Sequence, residues 1–165
     1  MIRIAIVEDD SRMEAEIRRY ILQYARETDQ KIEVISFSDG EEITENYKLE
    51  YDVILMDVQM QFMDGITASR QIRERDQDVV IMFITNMAEY AIHGYEVNAL
   101  DYVLKPINYF AFSQKLNKAL EKRQKREKDY LTITVGRGIR KLDIAEIRYI
   151  ESQEHKLIFH MAAEA

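Results

Sequence analysis

The feature that most constrains this chain is a set of short apolar runs with almost no polar interruption. Ile4-Ala5-Ile6-Val7, Val53-Ile54-Leu55-Met56 and Val79-Val80-Ile81-Met82-Phe83-Ile84 are apolar at every position. A strand with one face in water alternates apolar and polar residues. A strand apolar throughout needs cover on both faces, which is the situation in a parallel sheet sandwiched between helices. Two further extended runs, Ile32-Glu33-Val34-Ile35 and Leu100-Asp101-Tyr102-Val103-Leu104, bring the strands to five. Between them the period changes to that of a helix. Met13, Ile17, Ile21 and Tyr24 form one apolar stripe, and Asp39 with Glu42 reads as the N-terminal cap of a short helix over 39–47. Further helices are expected over 66–73 and 88–97, and a last long one from Asn108 into a charged segment. Five alternating strands and helices with right-handed crossovers predict an α/β, doubly wound parallel sheet.

The pattern changes near Tyr130. Leu131-Thr132-Ile133-Thr134-Val135 alternates, a Gly136-Arg137-Gly138 turn follows, and 139–144, 147–150 and 156–161 read as further extended segments. About 36 residues bury too little surface to sustain a core, so this all-β tail is expected to be part of a larger β domain. Charge divides the same way. Residues 1–120 carry 13 basic and 22 acidic side chains, against 10 and 8 in 121–165. The acidic first part is poorly suited to holding nucleic acid, and the second part is less so. The chain has no cysteine and three histidines, which excludes disulfide scaffolds and thiolate metal sites. No run is long enough to span a bilayer and no signal-peptide pattern opens the chain, so a cytoplasmic protein without membrane association is expected.

In doubly wound sheets sites lie at the carboxyl ends of the strands. Here Glu8, Asp9 and Asp10 follow the first strand, Asp57 follows the third, Thr85 closes the fourth, and Lys105 with the only proline, Pro106, follows the fifth. In a 2-1-3-4-5 order these ends converge. Carboxylates gathered on adjacent strand ends repel one another unless something positive offsets them. Lys105 is one candidate and Mg²⁺, which takes oxygen ligands, is another. Asp57, central in the group, is placed to act as a nucleophile that forms an acyl phosphate. The transferred group has three oxygens needing positive or donor partners, and Mg²⁺, Lys105 and the Thr85 hydroxyl match that need. Taken singly, Asp9 or Asp10 reads as a helix cap, and Thr85 likewise.

Residues 1–122 resemble the receiver domain of a bacterial two-component response regulator, with a flavodoxin-like sheet of order 2-1-3-4-5. The resemblance rests on 4–10, on Asp57 through Gly65, on Thr85, and on Tyr102 with Lys105-Pro106. It implies a sensor histidine kinase as phosphodonor and Asp57 as acceptor, in a Mg²⁺-dependent self-phosphorylation followed by slow autodephosphorylation. It also implies a metal set of Asp9, Asp57, the Gln59 main-chain carbonyl and, mostly through water, Glu8. Thr85 and Tyr102 are implied as switch residues and Lys105–Pro106 as a cis bond. The implied output face comprises the last two helices and the strand between them, including Tyr90, His93, Tyr95 and 108–118, and a phosphorylation-dependent homodimer is expected through it. Gln59 and Met87 flank the phosphoryl in such domains. Two positions depart from the family: Gln61 stands where proline is usual and Asn86 where alanine is frequent. Gln61 is expected to loosen the loop after Asp57.

After a charged helix end or linker at 123–129, residues 130–165 resemble the start of a LytTR-type DNA-binding domain. This second likeness rests on 144–152 and 155–160. It implies His155 at base edges and Lys156 at phosphate. Promoter DNA is then the partner of a full-length regulator, with weak binding or none by residues 1–165. Two other function classes compete: a stand-alone phospho-switch acting by protein–protein contact, and an aspartyl-phosphate hydrolase using a similar acidic cluster.

Overall fold

A computed structural model describes residues 1–86, 97–99, 101–128, 130–135, 138–153 and 156–161. The chain divides into two units, 1–123 and 124–165.

In the first unit β1 (Ile2–Val7), β2 (Ile32–Phe37), β3 (Val53–Met56), β4 (Val80–Thr85) and β5 (Asp101–Leu104) form one sheet in the order β2-β1-β3-β4-β5. All four neighbouring pairs are parallel. Every residue of β3 and β4 is buried, as their unbroken apolarity requires. Successive side chains enter different cores. Ile4, Ile6, Leu55, Met82 and Ile84 pack with α1 (Ser11–Glu27) and α4 (Tyr109–Lys128) through Ile17, Ile21, Tyr24, Phe112 and Leu116. Ala5, Val7, Ile54, Met56, Ile81 and Phe83 pack with α2 (Gly40–Glu45) and α3 (Gly65–Arg75) through Ile43, Ile66 and Ile72. This is the doubly wound α/β sandwich expected from the strand pattern.

Local chemistry sets the helix starts. Asp10 caps α1 by accepting from Arg12 N–H at 2.8 Å, and Asp64 caps α3 through Thr67 N–H at 2.9 Å. Asn108 accepts from Ala111 N–H at 3.2 Å to open α4. Two boundaries differ from expectation. α2 stops at Glu45 rather than reaching Tyr47, because Tyr47 leaves the helix to donate to Asp76 Oδ2 at 2.7 Å and to pack its ring 5.9 Å from Tyr51. α3 begins at Gly65 and ends at Arg75, wider than 66–73. Of the helix expected over 88–97, residues 88–96, with Tyr90, His93 and Tyr95, lie outside the described residues, as does Met87, and Val97 stands in a turn. The Lys105–Pro106 bond is cis.

The second unit contains two antiparallel hairpins. β6 (Tyr130–Val135) pairs with β7 (Gly138–Asp143), and β8 (Ile147–Gln153) pairs with β9 (Lys156–Met161). The extended segment expected over 139–144 ends at Asp143, and Ile144–Glu146 is a single 3₁₀ turn. No helix among the described residues is long and apolar enough to cross a membrane.

Candidate functional site

Parallel register brings the strand ends level: Val7 pairs with Met56, Met56 with Phe83, and Thr85 with Leu104. The ladder runs one residue past each strand. Glu8 N–H donates to Phe37 O at 3.0 Å, Asp57 N–H to Val7 O at 2.9 Å and Lys105 N–H to Thr85 O at 3.0 Å. The main chain of three functional residues is therefore fixed by the sheet itself.

Their side chains meet. Lys105 Nζ lies 2.8 Å from Glu8 Oε2 and 2.6 Å from Asp57 Oδ2, and the three side chains are only 7%, 1% and 7% exposed. The remaining carboxylate oxygens are also engaged: Glu8 Oε1 accepts from Asp10 N–H at 3.1 Å and Asp57 Oδ1 from Gln59 N–H at 3.2 Å. Burial pushes the Glu8 carboxyl above its usual range, and the Asp57 charge adds to this against the pull of Lys105. Burial alone would lower the Lys105 ammonium, but hydrogen bonds and charge from Asp57 and Glu8 outweigh it and hold it above its usual value. Lys105 therefore carries a full positive charge at neutral pH.

Asp9 is exposed and completes the acidic group. Carboxylate oxygens of Glu8, Asp9 and Asp57 lie within 4.8 Å of one another. Three carboxylates against one ammonium leave two net negative charges on an all-oxygen donor set, which suits a hard divalent cation such as Mg²⁺. Asp10, by contrast, is occupied as the α1 cap.

Thr85 is buried at the end of β4, on the strand next to the one that Asp57 follows. Tyr102 is half-buried on β5 and pairs with Phe83. Its carbonyl accepts from Lys115 Nζ at 2.5 Å, and the same ammonium lies 5.4 Å from its ring centre. Gln59 is exposed, with its N–H turned to Asp57, and Pro106 is exposed in the loop after β5. His155 lies outside the described residues. Lys156 is exposed at the start of β9, opposite Gln153.

Two residues of the site region had no functional reading in the sequence. A Cβ on Gly65 would sit 2.1 Å from the Asp57 carbonyl oxygen, so only glycine lets α3 start this close to the acidic residue. Asp39, expected as a helix cap, also reaches the loop that follows Asp57. The Asp39-Gly40 and Asp64-Gly65 dipeptides are the signals that mark these places.

The geometry coincides with what comparison finds. The response regulator receiver domain family matches residues 4–121. The sensory transduction protein LytT of Oceanobacillus iheyensis is 27% identical over 168 residues, covering 96% of this chain and 66% of that protein. The chain spans between about half and two thirds of the length of such curated relatives. Among solved structures, the response regulatory domain of mrkE from Klebsiella pneumoniae superposes with a TM-score of 0.66 at 26% identity, covering 75% of this chain and 99% of that one. TrrA from Thermotoga maritima, solved in complex with Mg²⁺–BeF, superposes with a TM-score of 0.58 at 25% identity, covering 72% and 99%. With the 2-1-3-4-5 sheet, the converging strand ends and a family match across most of its length, the chain belongs to the receiver domains of two-component response regulators.

Proposed function

We propose that Asp57 is the phosphoryl acceptor of this receiver and that a sensor histidine kinase is the donor. The observation that carries this reading is the buried Glu8–Lys105–Asp57 group at the carboxyl edge of the sheet. An Asp57 carboxylate oxygen attacks phosphorus. The bond from phosphorus to the donor nitrogen breaks, and its electron pair leaves with the imidazole. Lys105, kept charged by its two carboxylate partners, moves its hydrogen bond to a phosphoryl oxygen. The Thr85 hydroxyl donates to another oxygen and is drawn toward Asp57, and Tyr102 turns inward as that space opens. Phosphorylation so shifts a two-state equilibrium. Glu8, Asp9, Asp57 and the Gln59 carbonyl would hold Mg²⁺, and the bound ion supplies charge neutralisation to the phosphoryl oxygens. Slow loss of the phosphoryl to water returns the domain to its resting state.

The receiver extends over 1–122 and a linker over 123–129 in this proposal. Residues 130–165 form the first part of a LytTR-type DNA-binding domain, with His155 and Lys156 as its DNA contacts. Similarity to LytT over nearly the whole chain supports this division. The regulator is cytoplasmic, and phosphorylation drives homodimerisation that brings two DNA-binding domains to one promoter. Fluorine NMR with MgCl₂ and beryllium fluoride tests the switch. Bound fluoride resonances that Asp57→Asn abolishes, with amide shifts at Thr85 and Tyr102 in proton–nitrogen correlation spectra of the same samples, are the expected result. Absence of bound fluoride would contradict the acceptor assignment.

A further inference from the structure

Asp39 stands between β2 and α2 and is only 5% exposed. Its Oδ1 accepts from Glu41 N–H at 3.0 Å, the bond of an ordinary helix cap. The other two bonds leave the helix. Met63 N–H donates to Oδ1 at 2.9 Å and Phe62 N–H to Oδ2 at 3.0 Å. Both belong to the loop that runs from Asp57 to Gly65. An ionised carboxylate is an acceptor on both oxygens, so this one side chain binds α2 and the loop together. Burial alone would raise the carboxyl, but the backbone N–H groups of Glu41, Phe62, Met63 and Gly40 together outweigh it and hold the carboxyl below its usual range. Gly40 makes the approach possible, since a Cβ there would lie 2.7 Å from Met63 O and 2.8 Å from the Ala68 Cβ.

The loop has a second tie. Gly65 N–H donates to Val58 O at 2.9 Å and closes its base. Between the base and the Asp39 bonds lie Gln59, whose N–H touches Asp57 Oδ1, and Gln61, where receivers commonly have proline. Proline would restrict the loop through its own ring. Here two backbone N–H groups that donate to a buried carboxylate restrict it instead, and the loosening expected from Gln61 is offset.

We infer that Asp39 is a positioning residue for the acceptor loop: by pinning Phe62 and Met63 it sets the main chain at Gln59 beside Asp57 and prepares the loop for a divalent cation. This inference rests on the reading of Glu8, Asp9 and Asp57 as a Mg²⁺ site and of Asp57 as acceptor. Asp39 touches none of the reacting atoms, so its effect falls on cation affinity more than on the chemical step.

The test titrates MgCl₂ calorimetrically into wild type, Asp39→Ala and Asp39→Asn, each shown to be folded by circular dichroism. It also follows phosphoryl uptake from acetyl phosphate against MgCl₂ concentration. Loss of a support behind metal ligands weakens affinity by about tenfold or more. Asp39→Ala should therefore bind Mg²⁺ about tenfold more weakly, and saturating MgCl₂ should restore most of its uptake rate. Asparagine keeps an oxygen for Glu41 and Met63 but offers Phe62 no acceptor, so Asp39→Asn should fall between the two. Adding Gln61→Pro to Asp39→Ala should recover part of the lost affinity. Wild-type affinity in folded Asp39→Ala, or no recovery on adding the proline, overturns the proposal. If alanine prevents folding, the same judgement falls on Asp39→Asn, where wild-type affinity overturns it. A wild-type protein that binds no Mg²⁺ and takes no phosphoryl overturns the underlying site reading as well.

Discussion

Replacing Lys105 with methionine removes the cation that, among the described residues, contacts the buried Glu8 and Asp57 carboxylates, and keeps an unbranched apolar side chain in its place. At 2.6–2.8 Å, each contact is worth about 6 kcal/mol of Coulomb attraction at an effective dielectric near 20. Desolvation cancels much of that, and breaking a buried pair from one side costs roughly 3–5 kcal/mol. Glu8 relieves part of the loss by taking up a proton, because burial already raises its pKa. The expected loss near neutral pH is therefore about 3 kcal/mol, the lower end of that range. The sign of its pH dependence follows. A carboxyl whose folded pKa lies above its unfolded value favours the folded state below the unfolded pKa. That contribution disappears as pH rises through the folded pKa. Removing Lys105 raises the folded value of Glu8 further, so the deficit of the variant shrinks as the solution is made mildly acidic. MgCl₂ should restore part of the stability, since the Glu8, Asp9 and Asp57 carboxylates come together in the folded state and a ligand of that state stabilises it. Urea unfolding of both proteins at the two pH values, with and without MgCl₂, reads all three effects. Uptake of phosphoryl from acetyl phosphate should also fall by about 100-fold, the usual cost of removing a charge-stabilising donor. A loss below about 1 kcal/mol at neutral pH, well under the cost of a broken buried pair, would refute the reasoning. So would a deficit that grows on acidification.

Other outcomes are expected from the same geometry. Gly65→Ala forces a Cβ toward a carbonyl oxygen 2.1 Å away. Overpacking of this kind costs about 1–3 kcal/mol or more, and a lowered midpoint in thermal unfolding should accompany weakened phosphoryl uptake. Asp39 has a folded pKa below its ordinary value of 3.8. Its contribution to stability is present above that value and is lost as pH falls through the depressed one. Asp39→Asn should accordingly flatten the acid limb of a stability–pH profile, and an unchanged limb would count against the three backbone bonds. Residues 1–165 should bind duplex DNA weakly and with strong salt dependence, as measured by fluorescence anisotropy. Tight, salt-resistant, sequence-specific binding would contradict this.

The fold was legible because its strongest signal is physical necessity. β3 and β4 have no polar residue to offer water before Thr85, so helices must cover both faces, and parallel strands so covered end on one side. That necessity puts Glu8, Asp57, Thr85 and Lys105 at one edge of the sheet. Hydrogen bonds that cross between loops were much less visible. Asp39 carries an unmistakable cap signature, yet its bonds to Phe62 and Met63 depend on how α2 approaches a loop 23 residues later. Tyr47 continues the helical pattern of α2 in sequence but leaves it because Asp76 and Tyr51 offer better partners. Propensity gives way there to tertiary packing. The lysine contact of Tyr102 was hidden for the same reason: Lys115 lies on α4, thirteen residues away, and meets the β5 carbonyl only once helix and strand are packed.

In the proposed function Asp57 accepts a phosphoryl group with a divalent cation beside it. Intact-mass measurement after incubation with acetyl phosphate and MgCl₂ tests this most directly, with Asp57→Ala treated in parallel. The mass of one added phosphoryl group is expected on the unaltered chain, lost when the cation is chelated beforehand and absent from Asp57→Ala. No added mass on the unaltered chain, or equal uptake by Asp57→Ala, would contradict it.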